Sequence, residues 1–262
     1  MMTFSEAPTR TLSPPLSTGE VNFLWWFIQG SLMNAPVRED LRRGWGPCER
    51  HTLAVLIIEN ALRPHYLHGP VILFHDLIKR AVAAYAYAWP LHDLRTRLAL
   101  TPSRPCHFCA LGIDANSRGD VPHERFVHAG DETNLRTFMA DTHDGWRPWV
   151  CPACTGSARQ GGGILCRRHI LDDGNAWNHR EFASQRDKLE GLADHLDRYE
   201  RAFSVDYHGT DNAADHAALI AAAGWLGGWG ELWKFWTMTS PAYGGVYARE
   251  EGRADAVGSP PR

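Results

Sequence analysis

Cys151-Pro-Ala-Cys154, followed by Leu165-Cys166-Arg-Arg-His169, constrains this chain more than any other stretch. As a pattern it reads C-x2-C-x11-C-x2-H, three thiols and an imidazole at metal-ligand spacing. The same half-motifs recur upstream: Cys106-His-Phe-Cys109 repeats the Cys-x-x-Cys unit and Cys48-Glu-Arg-His51 the Cys-x-x-His unit. Each Cys-x-x-His follows a glycine and opens a run of helical character. A Cys and a His three apart on a first helical turn lie on one face, as chelation requires. The chain has six Cys; with the two paired His they make two four-donor sets and leave no thiol over.

The economical grouping is local. Cys151, Cys154, Cys166 and His169 form one set, and Cys48, His51, Cys106 and Cys109 close the other across residues 52–105. Crossed pairing, with Cys106 and Cys109 joining Cys151 and Cys154, satisfies the same count and stays open. The expected cofactor is Zn2+, two per chain, because three thiols and one imidazole form a familiar structural zinc shell with no position open to substrate. Binding would be coupled to folding. Two other readings compete: Cys48 and Cys166 as plain buried thiols beside helix starts, and the Cys-x-x-Cys pairs as redox dithiols. No βαβ pattern surrounds either pair, which weighs against the second.

At 262 residues the chain is long enough to bury a core, and 44% hydrophobic with 22% charged residues is ordinary for a globular protein. Basic residues number 27 against 30 acidic, well mixed, which argues against a nucleic-acid or anionic-membrane footprint. The N-terminus has no apolar core of a signal peptide, and Phe23–Ile28 and Leu53–Ile58 are too short to span a bilayer. A cytoplasmic setting is therefore expected, and there six Cys point to metal rather than disulfides.

No stretch alternates as a strand does, so the expected class is all-α, helical hairpins pinned by two knuckle-like metal sites. Residues 1–19 read as a flexible leader and 240–262 as a disordered tail. The helical metal-binding domain is expected over 20–239, with 20–175 and 176–239 as sub-parts. A helix capped by Ser17 or Thr18 is predicted over Glu20–Met33, with Phe23, Trp26, Phe27 and Gly30 on one face. A short helix from Pro36 ends at Gly44 and Gly46. Apolar helices follow over Leu53–Leu62 and Val71–Trp89, forming a hairpin clamped at its base, then a short one over Leu91–Leu100. Residues 111–131 read as an irregular insertion and Asp131–Thr142 as a helix, while Gly156 and Gly161–Gly163 supply a tight metal loop. A charged helix is predicted over Trp177–Phe203, with Leu189, Leu192, His195, Leu196 and Tyr199 as its stripe. A last helix over Asp211–Trp236 should break at Gly227-Gly228, and Trp225, Trp229, Trp233 and Trp236 share one face, read as core.

The run Phe23–Arg50, ending in Trp45-Gly-Pro-Cys48-Glu-Arg-His51, resembles a bacterial family without an assigned activity. Its members combine Cys-x-x-Cys and Gly-x-Cys-x-x-His units with paired helices. Gly-Gly-Ile-Leu-Cys166-Arg-Arg-His169 is similar to the later copy of that motif. The likeness covers about residues 20–175 and implies the helical fold and the metal sites, but no activity. The Cys-x-x-Cys that precedes the first Gly-x-Cys-x-x-His in that family is absent from this chain.

The expected function is that of a zinc-stabilised binding or scaffold protein, more a binder than an enzyme, for a protein partner or an apolar small ligand. Two alternatives stand beside it. His51 followed by His75-Asp76 looks like the opening of an HD-type metal phosphohydrolase, in which His and His-Asp on successive helices bind divalent metals. A zinc-containing DNA-binding regulator would use Arg159, Arg167 and Arg168 beside the central knuckle. The Asp114–Gly119 loop begins like a calcium loop but has Arg118 at position five and Arg125 at position twelve.

Overall fold

Ser17 starts the first helix with a reciprocal cap. Its Oγ accepts from the Glu20 N–H at 3.1 Å while the Glu20 carboxylate accepts from the Ser17 N–H at 2.8 Å. In the computed structural model, which describes residues 12, 14–64, 66–86, 92–156, 164–172 and 179–238, this helix is α1, Thr18–Gln29. It is followed by a short 3-10 turn, Ser31–Met33. Its buried side is Val21, Leu24, Phe27 and Ile28. The face expected from the sequence is turned: Trp26 is 60% exposed and Gly30 lies in solvent.

The chain continues through α2 (Ala35–Gly44), α3 (Glu49–Leu62), α4 (His68–Ala84), α5 (His92–Leu100), α6 (His107–Ala110) and α7 (His123–Ala129). Then come α8 (Thr133–Asp141), α9 (His143–Trp146), α10 (Pro152–Thr155), α11 (Arg167–Asp172), α12 (His179–Ala202), α13 (Ala213–Gly227) and α14 (Gly230–Thr237). The class is all-α, with no strand among the described residues. Among those residues no helix is long and apolar enough to cross a membrane.

The central post is α13. Asn212 and Asp215 form its capping box, and every residue from Ala217 to Gly227 is buried. A helix apolar all round must be enclosed, and α13 packs on α3, α4, α8, α9, α11 and α12. Its small faces, Ala217, Ala218, Ala221, Ala222 and Ala223, let those neighbours approach closely. The long charged helix α12 lays Leu189, Leu192, Leu196 and Tyr199 against α4 and α13. The principal neighbours of α3 are α1, α7, α8 and α14. It meets α4 near their connection, where the Gly69 N–H donates to Glu59 at 3.2 Å.

Several boundaries differ from expectation for local reasons. Residues just before α1 are not a loose leader, since Leu12 and Leu16 are buried and the Pro14 and Pro15 carbonyls accept from Arg50. Residues 1–11 and 13 lie outside the described set, as do the expected tail, 240–262, Gly161–Gly163 and Pro90. Helix α4 begins at His68, so Pro70 sits in its first turn, where a missing N–H breaks no bond. The insertion contains α7, whose Phe126 and Ala129 find the core despite flanking Gly and Asp.

The last helix breaks where glycines predicted it, at Gly228 with φ 110°. That break leaves Trp225 on α13, Trp229 within the break and Trp233 and Trp236 on α14, not on one face. They are nevertheless core: Trp225 and Trp229 are fully buried, Trp146 stacks on Trp229 and Trp236 on His143.

Candidate metal centres

The two centres are built the same way. In the first, Cys48 occupies the residue before α3 and His51 its first turn, while Cys106 precedes α6 and Cys109 lies within it. In the second, Cys151 precedes α10, which holds Cys154, and Cys166 precedes α11, which holds His169. Each half-motif thus starts a helix, which turns both of its donors the same way. Cys48, His51, Cys106 and Cys109 gather with all donor atoms within 4.8 Å of one another. Cys151, Cys154, Cys166 and His169 gather within the same limit. The structure adopts the local grouping, not the crossed one.

The spacings test whether a metal fits. A tetrahedral ion with the usual zinc–sulfur and zinc–nitrogen bonds sets sulfur–sulfur edges of about 3.8 Å and sulfur–nitrogen edges of about 3.5 Å. In the first centre Cys48 Sγ is 3.8 Å from Cys109 Sγ, and His51 Nδ1 lies 3.2, 3.6 and 3.5 Å from Cys48, Cys106 and Cys109. In the second, Cys154 Sγ is 3.6 Å from Cys166 Sγ, and His169 Nδ1 lies 3.5, 3.3 and 3.3 Å from Cys151, Cys154 and Cys166. These separations match tetrahedral edges and lie far beyond a disulfide bond length.

Proton balance points the same way. Hydrogen bonding from Cys48 draws the Cys106 thiol down to about 3, whereas the bond to Cys106, then burial, pushes Cys48 far up. In the second centre Cys154 and Cys166 hold Cys151 well below the thiol range. Cys154 is pushed up to about 11, and Cys166 further, by their bonds to the ionised neighbour and by burial. Three thiols packed this closely and largely buried resist ionising together. A divalent cation supplies the charge that lets all three ionise.

The surroundings hold the donors in place. Phe108, between Cys106 and Cys109, is fully buried against Phe27, with ring centroids 4.9 Å apart, and beside His51 at 5.3 Å. The outer nitrogen of His51 is buried, has no hydrogen bond among the described residues, and faces Glu20 Oε1 at 3.8 Å. That carboxylate is held by Arg50 through two bonds of 2.7 and 2.8 Å. At the second centre the Trp229 N–H donates to Cys154 Sγ at 3.4 Å. Neither Glu20 nor Trp229 figured among the expected site residues. The Ser17-x-x-Glu20 capping signature was readable, whereas the Trp229 contact is made by backbone and leaves no mark in composition.

Between the centres lies a cleft of about 340 Å³, lined by Cys48, Glu49, Cys106, Arg104, Arg167 and Arg168 among others. Arg168 pairs with Glu49 at 2.8 Å and Arg104 with Asp40 at 3.1 Å. Arg167 is only 7% exposed and has no carboxylate partner among the described residues. Its guanidinium donates to the Leu226 and Leu100 carbonyls, and burial lowers its pKa to about 10.

The remaining candidates are dispersed. His75 Nδ1 meets Glu200 at 2.5 Å, whereas Asp76 pairs with Arg42 and Arg38. His51 belongs to the first centre, so His51, His75 and Asp76 do not converge. Arg167 is buried, Arg168 is paired and Arg159 lies outside the described residues. No protein-family model, curated protein or solved structure matches the chain.

Proposed function

We propose that both Cys3His centres hold zinc as a structural ion, and that the protein is a zinc-stabilised helical binding or scaffold module. The observation that carries this reading is the pair of four-donor sets spaced as tetrahedral edges. Three thiolates with an imidazole suit zinc among the common divalent ions. A fourth protein donor leaves no position for a metal-bound water, the usual source of hydrolytic power. Six Cys placed as metal donors fit the cytoplasmic setting expected from the sequence. The likeness to the bacterial Gly-x-Cys-x-x-His family belongs to the same proposal.

In a module of this kind the ions fix where helices begin, and the helices present the surface. Leu94 and Leu98, one turn apart on α5, are 55% and 65% exposed and offer an apolar strip to a protein partner. The test is cobalt substitution in the full chain. Two equivalents of cobalt should give the absorption of tetrahedral thiolate sites, and chelation should unfold the helices. Manganese- or magnesium-dependent phosphoester hydrolysis that is lost in His75→Ala and Asp76→Ala would overturn the reading.

A further inference from the structure

We infer that the two metal centres are coupled through the break between α13 and α14, so that loading one raises the other's affinity for metal. This rests on the proposal that both centres bind metal.

The break touches both centres at once. Glu49 follows the ligand Cys48, and its carboxylate is seated against the backbones of Gly228 and Gly230. A Cβ at those glycines would stand 2.1 and 2.8 Å from the Glu49 carboxylate oxygens. Trp229, between the two glycines, gives its N–H to Cys154 of the second centre. One three-residue segment therefore receives the first centre's carboxylate and a sulfur of the second. Side chains are excluded where the carboxylate enters, which accounts for glycine on both sides of Trp229.

Two further ties run alongside. Arg168 precedes the ligand His169 and pairs with Glu49 at 2.8 Å. Arg167 follows the ligand Cys166 and faces the buried ring of Trp45, three residues before Cys48, at 5.7 Å. A half-exposed ion pair contributes little by itself. Here its members are anchored on opposite centres, and Glu49 is also fixed by the glycine break. Each tie joins a residue beside one centre's ligands to a residue beside or bonded to the other's, so closing either knuckle sets its side of all three ties in place. Closing one knuckle then lowers the ordering cost of the other, which is the physical content of cooperativity.

The experiment uses the full-length protein loaded with zinc, each centre's affinity being read by chelator competition. Cys109→Ser weakens the first centre and Cys154→Ser the second. In each variant the intact centre should lose affinity by the same factor, about fivefold or more, as linkage requires. Unchanged affinity, within about twofold, in a protein that still takes two ions when wild type would overturn the coupling and leave the metal reading standing. A wild-type chain that takes fewer than two ions instead removes the metal reading itself. Should either variant fail to fold, Glu49→Gln and Arg168→Gln in the otherwise intact protein decide the question. Zinc titration against a competing chelator should fill the two wild-type centres cooperatively and these variants' centres less so; equal cooperativity in wild type and variants overturns the coupling.

Discussion

The carboxylate of Glu20, fully buried, faces the outer nitrogen of His51 at 3.8 Å. Glu20 also accepts two bonds from Arg50, the residue before His51, and closes the cap of α1. One buried anion thus ties the first helix to the first metal centre. A carboxylate behind a ligating imidazole fixes its orientation and raises its basicity.

Glu20→Gln keeps a side chain that can cap but removes the charge that holds Arg50. Chemical denaturation should show a loss of about 2–3 kcal/mol, the scale of a broken, largely buried charge pair. Metal affinity at the first centre should fall about tenfold or more in chelator competition. Unchanged affinity would mean that Glu20 serves the helix cap alone.

Glu59 gives the fold a pH dependence of unusual sign. One carboxyl oxygen accepts from the Gly69 N–H, and the other is buried with no hydrogen-bond partner among the described residues. Burial raises its pKa from 4.5 to about 8. Between those values the folded chain holds a proton that the unfolded chain has lost. Stability should therefore fall as pH rises across that window and level off above it. Urea midpoints at about pH 6 and about pH 8 should show the decline, and Glu59→Gln should flatten it. An equal slope in the variant would place its origin in another group.

Gly228→Ala should be among the most damaging single changes in the chain. Its φ of 110° disfavours any side chain, and a Cβ there would meet Glu49 Oε1 at 2.1 Å. A loss of about 2 kcal/mol or more is expected from backbone strain and displacement of Glu49 together. Thermal melting of the zinc-loaded variant checks it; a melt like that of wild type would show that the break is tolerant.

Much of this was legible because it is written in local chemistry. Cys-x-x-Cys and Cys-x-x-His announce their donors by spacing, and Ser17, Pro36 and Gly228 mark where helices start or stop. The buried face of α1 is not legible in the sequence because four aromatic residues, Phe23, Trp25, Trp26 and Phe27, run around the helix. Only the tertiary neighbours decide which of them is buried. Helix α7 leaves little trace in the sequence because seven residues between polar flanks carry little periodicity. The outer contacts of the centres were hidden for a different reason. Glu20 reaches His51, and Trp229 reaches Cys154, across distances in sequence that no spacing rule spans.

Metal content per chain tests the central claim most directly. Full-length protein purified without added metal should contain two zinc ions per chain by elemental analysis, and neither Cys48→Ser nor Cys151→Ser should retain both. Iron or manganese in place of zinc, or a folded chain with no bound metal, would contradict the structural role assigned to both centres.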